Sequence, residues 1–203
     1  MATASKSDTK TSRQRVPASE RRDALVEAAV HEFAQGGLHG TPVDRIARRV
    51  GVAQPYVFSL FGSKRELFVA AVERGFERLA ECFTRGAAEF DPAIALPDAD
   101  VLTAMGNAYA ELLESNRDYL MLQLQAYAAC DDDLIRDRVR GCYARLMAHV
   151  EELSDADSER IDEFFRYGMW LNVAAAMGVE DLSVGCEWVK AELDQPDQPE
   201  QVQ

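Results

Sequence analysis

Apolar side chains recur at helical spacing along most of the chain. This spacing places them on one face of an α-helix, whereas a half-buried strand would alternate apolar and polar residues. Stripes of this kind indicate helices at about residues 64–90, 101–114, 135–153, 158–178 and 181–193. Residues 118–130 are apolar all round, which indicates a helix enclosed by the others. With three shorter helices near the N-terminus, the pattern predicts an all-α protein of about nine helices.

The segment from residue 41 to residue 67 contains the starts and stops of short helices. Thr41 offers a hydroxyl N-cap, and Pro42 suits the first helical position. Gly51 stands where a left-handed residue would end that helix. Ser63 and Glu66 form the pattern of a capping box, which starts a longer helix. Two short helices joined by a glycine turn are therefore predicted here.

The residues inside this segment have the spacing of a helix-turn-helix unit. Such a unit needs a small residue where its helices cross, glycine in the turn and apolar residues toward the core. Ala47, Gly51 and Val57 occupy these positions. We interpret the segment as a DNA-reading motif. The alternative is a pair of adjacent amphipathic helices with no role in DNA binding.

Three stretches of the N-terminal region resemble one known family. They are a first helix with the sequence RRDALVEAAVHEFAQGG, the pattern G-T-x-x-x-x-I-A-x-x-x-G-V from Gly40 to Val52, and an S-K-x-E-L-F stretch. The region from Ser19 to Phe68 is similar to the TetR family of bacterial transcriptional regulators. The resemblance implies a three-helix helix-turn-helix DNA-binding domain, followed by a helical domain that binds a ligand and dimerises.

Composition changes at the end of this region. Residues 1–68 carry 11 Lys and Arg against 7 Asp and Glu, a net charge of +4, whereas the remainder carries 11 against 28, a net charge of −17. Exposed charges are screened over about 8 Å at physiological salt, so the local basic patch decides whether DNA binds. We predict a disordered tail at 1–18, the DNA-binding domain at 19–68, the effector and dimerisation domain at 69–195, and a second disordered tail at 196–203.

No sequence feature predicts export, membrane insertion or catalysis. The N-terminus lacks the apolar stretch of a signal peptide, and the longest uncharged run, residues 167–179, is shorter than a membrane span of about 20 residues. We therefore expect a cytoplasmic protein. The cysteines form no C-x-x-C pair and the histidines are scattered, so neither an enzyme nor a cofactor or metal site is predicted. Residues 131–133, three aspartates, are interpreted as a helix cap, with a metal site as the alternative.

The exposed early face of the second short helix supplies the candidate DNA contacts. The side chains expected at base edges are Gln54, Pro55, Tyr56 and Ser59, and Leu60 is also expected among the DNA-binding residues. Phosphate contacts are expected from Arg22, Thr41, Arg45 and Lys64. The alternatives are that Thr41 serves only as a helix cap and that Arg45 is simply solvated.

A ligand cavity in the second domain is expected mainly from the family resemblance. Gln123 and Gln125 lie in the apolar helix, where an unpaired amide is costly, so each needs a partner in the protein, in water or on a ligand. The candidate lining residues are Phe76, Phe83, Met105, Tyr109, Gln123, Gln125, Tyr127, Tyr143 and Met147. A stripe of Met and aromatic residues at helical spacing more often forms plain core.

The helix at 158–178 carries more apolar surface than one side of a monomer core requires. A second chain would cover the excess, and the resemblance implies dimerisation through the last two long helices. The residues expected in this interface are Phe165, Met169, Trp170, Val173, Cys186 and Val189. The alternative is that they are enclosed within one subunit.

These expectations combine into one function. We expect a homodimeric, ligand-responsive transcriptional repressor that binds double-stranded DNA at an inverted-repeat operator and is released by a small, largely apolar effector. The alternatives are a DNA-binding regulator without a small-molecule effector, or an activator. The sequence leaves open the identity and charge of the effector.

Overall fold

The computed structural model describes residues 17–97 and 99–179. They form eight helices, which are α1 (Ala18–Gly40), α2 (Val43–Val50), α3 (Gln54–Phe61), α4 (Lys64–Glu89), α5 (Val101–Ser115), α6 (Arg117–Ala128), α7 (Asp133–Ser154) and α8 (Ser158–Ala176). These ranges contain no strand, and the predicted all-α class is confirmed. The predicted helix at 181–193 and most of both predicted tails lie outside the described residues.

Helices α1 to α3 surround the first part of the core. The rings of Phe33 and Phe68 meet edge to face with centroids 5.0 Å apart. Ala47 is fully buried where α2 crosses its neighbours, and Val57 is the buried anchor of α3. Gly51 ends α2 with φ 73°, and its N–H bonds to carbonyls in the last turn of that helix. The helix-turn-helix geometry expected from the spacing is therefore present.

The start of α2 differs from the prediction that Thr41 is its N-cap. α2 follows Pro42, and no side chain caps it. Thr41 is instead buried, and its hydroxyl donates to the carbonyl oxygen of Glu32 at 3.0 Å. The N-cap prediction is wrong because this hydroxyl points back to α1, and its hydrogen bond stabilises the connection between α1 and α2.

Helix α4 is shared by both parts of the molecule. Ser63 caps it by accepting a hydrogen bond from the Glu66 backbone N–H at 3.1 Å, as the capping pattern predicts. Its buried residues extend from Leu67, beside α1, to Phe83, deep in the second half of the chain. The predicted boundary after residue 68 therefore falls inside one continuous helix.

Helices α5 to α8 complete the second part around α4. The predicted cap at residues 131–133 is confirmed, since Asp132 accepts from the backbone N–H groups of Leu134 and Ile135. The Asp132 carboxylate also pairs with Arg65 at 3.2 Å and so ties α7 to the first turn of α4. Within residues 17–97 and 99–179, no acidic, His or Cys cluster could hold a metal ion. In the same ranges, no helix has the length and apolarity that a membrane crossing requires.

Candidate DNA interface and effector cavity

Helix α3 presents one face to solvent and anchors the other in the core. Val57 and Phe61 are buried one helical turn apart. Of the DNA contacts predicted on α3, Gln54, Pro55 and Ser59 are exposed, whereas Tyr56 and Leu60 are half-buried against the core. Phe58, which was not among the predicted contacts, is 38% exposed on the outer face. An exposed ring suits contact with a thymine methyl or a sugar.

The N-terminus of α3 is open as well. Ala53 occupies the N-cap position and supplies no side-chain oxygen. Pro55 has no N–H, and the Tyr56 N–H donates to the Ala53 carbonyl oxygen at 3.0 Å, so among the first three residues of α3 only Gln54 has an N–H without a described partner. Such groups suit a DNA phosphate, since they donate hydrogen bonds at the positive end of the helix dipole. The early face of α3 therefore combines exposed side chains with one available backbone donor, the Gln54 N–H.

Three of the four predicted phosphate contacts carry accessible cations. The guanidinium of Arg22 lies 4.9 Å from the ring centroid of Phe61, at the C-terminal end of α3. Lys64 donates to the carbonyl oxygen of His39 at 3.2 Å, and partial burial lowers its pKa from the ordinary value. Arg45 is half-exposed. Thr41 does not fit the prediction, because its hydroxyl is buried and occupied by the Glu32 carbonyl.

A buried carboxylate that the sequence analysis missed organises the basic side of α2. Glu32 in α1 is 4% exposed. Its carboxylate pairs with Arg45 at 2.9 Å and with Arg49 at 3.4 Å. Both arginines are therefore held against α1. The available signal was an acidic residue inside the apolar run AAVHEFA, where a charge needs a partner.

A small cavity of about 40 Å³ lies among helices α4 to α8. Four of the predicted pocket residues line it, namely Phe83, Tyr109, Gln123 and Tyr143. It is lined in addition by Leu79, Gly106, Leu146, Phe164, Phe165, Tyr167, Gly168, Met169, Leu171 and Asn172. One water needs about 10 to 15 Å³ of such space, so the cavity would hold a few waters and is too small for a drug-sized ligand.

The other predicted pocket residues lie elsewhere in the domain. Phe76 and Met105 are buried in the core but do not line this cavity. Tyr127 packs behind Tyr143, and Met147 is half-buried in α7. Gln125 points away from the cavity, since its side-chain oxygen lies against Gly37 in α1. None of these five residues lines this cavity, although Phe76 lines two neighbouring ones.

One cavity residue that the sequence analysis missed is polar and almost fully buried. Asn172 in α8 is 1% exposed. It accepts a hydrogen bond from the Tyr109 hydroxyl, and its Nδ2 donates to Gln123 Oε1 at 2.8 Å. Burial raises the pKa of Tyr109, so its hydroxyl keeps its proton at neutral pH. We call Tyr109, Gln123 and Asn172 the polar cluster. It links α5, α6 and α8.

The predicted dimer residues divide into three groups. Phe165 is buried inside the single chain, where its ring packs against Tyr143 and Phe164, so little of it is exposed for a partner to contact. Met169 and Trp170 are half-buried, and Val173 is 41% exposed. Cys186 and Val189 lie outside the described residues.

The family model for bacterial regulatory proteins of the tetR family matches residues 25–71. This range contains most of α1, all of α2 and α3, and the start of α4. The helix-turn-helix region of this chain therefore matches the N-terminal domain of TetR-family regulators. Two relatives match the TetR domain in sequence. They are the HTH-type transcriptional activator FasR of Mycolicibacterium smegmatis, 40% identical over 65 residues, and the HTH-type transcriptional repressor SCO4008 of Streptomyces coelicolor, 38% identical over 56 residues.

These matches cover 32% and 28% of this chain and 30% and 29% of the two relatives, so the chain spans about a third of their length. Two solved structures resemble the fold of this chain over most of its length. A TetR-like regulator from Rhodococcus sp. RHA1 has 24% identity and a TM-score of 0.56, covering 79% of this chain and 82% of that one. FadR of Bacillus subtilis in complex with stearoyl-CoA has 15% identity and a TM-score of 0.63, covering 84% and 96%. At these identities the likeness concerns the fold alone. The named matches are regulators, in agreement with the expectation that this chain is not an enzyme.

Proposed function

We propose that this protein is a homodimeric transcriptional repressor that releases its operator when a small, largely apolar effector binds. The observation that carries the proposal is the continuity of α4. Its capped start adjoins the DNA-reading helix α3, and its Phe83 end lines the cavity. A ligand that favours one tilt of α4 would therefore change the position of α3, which is how a ligand shifts an equilibrium between two arrangements.

Dimerisation is supported by the outer face of α8. Trp170, Val173 and Met177 follow one another at helical spacing, and Val173 and Met177 are 41% and 55% exposed. Large apolar side chains in one stripe are typical of a surface that a second subunit covers. Two subunits related by a two-fold axis would read an inverted repeat, with their recognition helices about 34 Å apart or a multiple of that distance.

One observation favours the second candidate, a regulator without a small-molecule effector. The cavity of about 40 Å³ is small, so the core of the effector domain is almost filled in this conformation. A ligand would have to move lining side chains or helices before it could enter. Control by a partner protein would need no such opening.

The deciding experiment selects bound DNA from a random pool with the full chain, then screens small apolar compounds for release of the selected DNA. We expect an inverted-repeat sequence and at least one compound that releases it in a saturable manner. A selected sequence without two-fold symmetry would contradict the dimer. Failure of every compound, with tight binding to the selected DNA, would favour the regulator without an effector.

A further inference from the structure

The three residues of the polar cluster are buried and line the cavity, where they supply its hydrogen-bonding groups. Asn172 lies on α8, and its side-chain amide donates a hydrogen bond to Gln123 Oε1. The same Gln123 oxygen lies 3.4 Å from the Tyr109 hydroxyl. These groups can donate or accept hydrogen bonds, but none of them carries a charge at neutral pH. A buried cluster of this kind is costly unless its members have partners.

A neighbouring hydroxyl lacks a partner. The Tyr127 hydroxyl is buried and makes no hydrogen bond within the described residues, although the Gln123 side chain lies near it. An unsatisfied buried hydroxyl costs about 1 to 3 kcal/mol. A guest molecule that hydrogen-bonds to Gln123 would reduce that cost by shifting the Gln123 amide toward the Tyr127 hydroxyl.

The walls around the polar cluster carry no charge. Every described lining residue is apolar, aromatic, glycine or a neutral amide or phenol, so no described side chain could neutralise an ion inside. An unpaired carboxylate or ammonium taken out of water costs several kcal/mol. A cation over an aromatic ring regains about 0.5 to 2 kcal/mol, which does not cover that cost.

A route into the cavity exists on the outer side of α5 and α8. A groove of about 660 Å³ lies there, and its surface is largely apolar. Its lining also includes Asp100, Arg160, Glu163 and Arg166, but Arg160 is paired with Asp100 and Arg166 with Asp162. Gly106, Phe164, Tyr167 and Leu171 line both the groove and the cavity, so they form the wall between the two spaces. Gly106 has no side chain to hold the Phe164 ring, whose Cε2 would lie 3.8 Å from an added Cβ. Movement of this ring would join the two spaces and provide the volume that a ligand needs.

From these four observations we propose that the cavity binds an uncharged, mainly apolar molecule that carries one hydrogen-bonding group, such as a hydroxyl or a primary amide. The polar cluster recognises that group, and the apolar part extends past Phe164 into the groove. This inference rests on the proposed function only in taking the cavity as the effector site. It adds the chemical class of the ligand and excludes carboxylates and ammonium ions.

The test uses four probes with the same carbon chain: octanol, octanamide, octanoate and octylammonium. Each is titrated into the full chain without DNA, with binding followed by calorimetry and by tryptophan fluorescence. We expect saturable binding of octanol and octanamide at least tenfold tighter than binding of either ion. Equal or tighter binding of octanoate or octylammonium would overturn the inference, and so would the absence of saturable binding by both neutral probes.

Two variants locate the binding site. Asn172→Leu removes the central amide, and Tyr109→Phe removes only one hydroxyl, which protects the test if the larger change disturbs folding. Each should weaken octanol and octanamide binding severalfold. Tyr119→Phe is the matched control, because Tyr119 is a half-buried tyrosine on α6 that does not line the cavity. If neutral probes bound all variants and the control equally, the polar cluster would not be the recognition site, and the inference would fail.

The two proposals can fail separately. If octanol binds through the polar cluster but does not release operator DNA, the ligand class stands and the effector role fails. If octanoate releases operator DNA and binds more tightly than octanol, the ligand-responsive function stands and the uncharged ligand class is overturned.

Discussion

At the scale of single residues, Gln54 is the best candidate for reading a base. It is exposed at the start of α3, and a glutamine amide can pair with both hydrogen-bonding positions on the adenine edge. Gln54→Ala should therefore cost about 1 to 3 kcal/mol of operator binding and relax the preference at one position of each half-site. Lys64→Ala should instead weaken all sequences similarly and lower the salt slope by about one unit. Selection of bound DNA with each variant checks this, and an unchanged preference in Gln54→Ala would contradict the proposed contact.

Glu32 is predicted to support the fold of the DNA-binding domain. Its buried carboxylate holds Arg45 and Arg49. Glu32→Ala should lower the free energy of unfolding by about 1 to 3 kcal/mol, less than for a fully buried pair because both arginines are half-exposed. Asp44→Ala is the control, since the Asp44–Arg48 pair is exposed and worth well under about 1 kcal/mol. Urea unfolding of both variants makes the comparison, and equal losses would show that burial of Glu32 adds nothing.

At the scale of helices, α6 connects the cavity to the DNA-binding domain. Gln123 faces the cavity, and two residues later the Gln125 oxygen lies against Gly37. Gly37 has φ 60°, a conformation that strains any residue with a Cβ, and an added Cβ would also require the Gln125 side chain to move. On the same interface, His31 in α1 contacts Asp118 at the start of α6 at 2.6 Å. A shift of α6 would therefore move the C-terminal part of α1, which directly precedes the helix-turn-helix.

This contact predicts an effect on coupling and not on DNA binding itself. Gln125→Ala should reduce the factor by which operator DNA weakens effector binding, while operator affinity changes little, because Gln125 lies at the junction and contacts neither ligand. The measurement is effector titration with and without operator, using the compound found by the release screen. Glu114→Ala, on the exposed side of α5, is the control. An unchanged coupling factor in Gln125→Ala would show that this α6–α1 contact does not transmit the effect of the effector to the DNA-binding helices.

Helix limits were predictable from the sequence to a greater degree than helix orientations. The starts of α4 and α7 follow from the N-cap side chains of Ser63 and Asp132, which accept hydrogen bonds from backbone N–H groups two or three residues later. The orientation of Phe165 did not follow, because α8 carries apolar residues on most of its circumference and its pattern does not identify the inner face. Asn172 was missed for a related reason. An amide in an apolar helix reveals that it needs a partner, but the partners Tyr109 and Gln123 come from distant parts of the chain.

At the scale of the whole molecule, the basic region and the exposed apolar face of α8 lie in different parts of the chain. The N-terminal 68 residues carry a net charge of +4 and the rest carries −17, so only the DNA-reading end of the protein is attractive to DNA. The largest exposed apolar side chains of α8 belong to the acidic part, away from the reading helices. Association through α8 would therefore leave both DNA-reading surfaces free, and the symmetry of the operator would record the symmetry of the dimer.

That arrangement predicts that operator binding depends on one apolar stripe. Val173→Arg would place a charge where a second α8 is expected, and burying it without a partner costs several kcal/mol, so the variant should sediment as a monomer. Its helical content should persist, since Val173 is 41% exposed in the single chain. Operator binding should fall steeply, because two half-sites can no longer be read together. Ala144→Arg, an equal change on the exposed side of α7, should leave both properties intact. A Val173→Arg protein that remains dimeric and binds its operator as before would exclude this face of α8 from the interface.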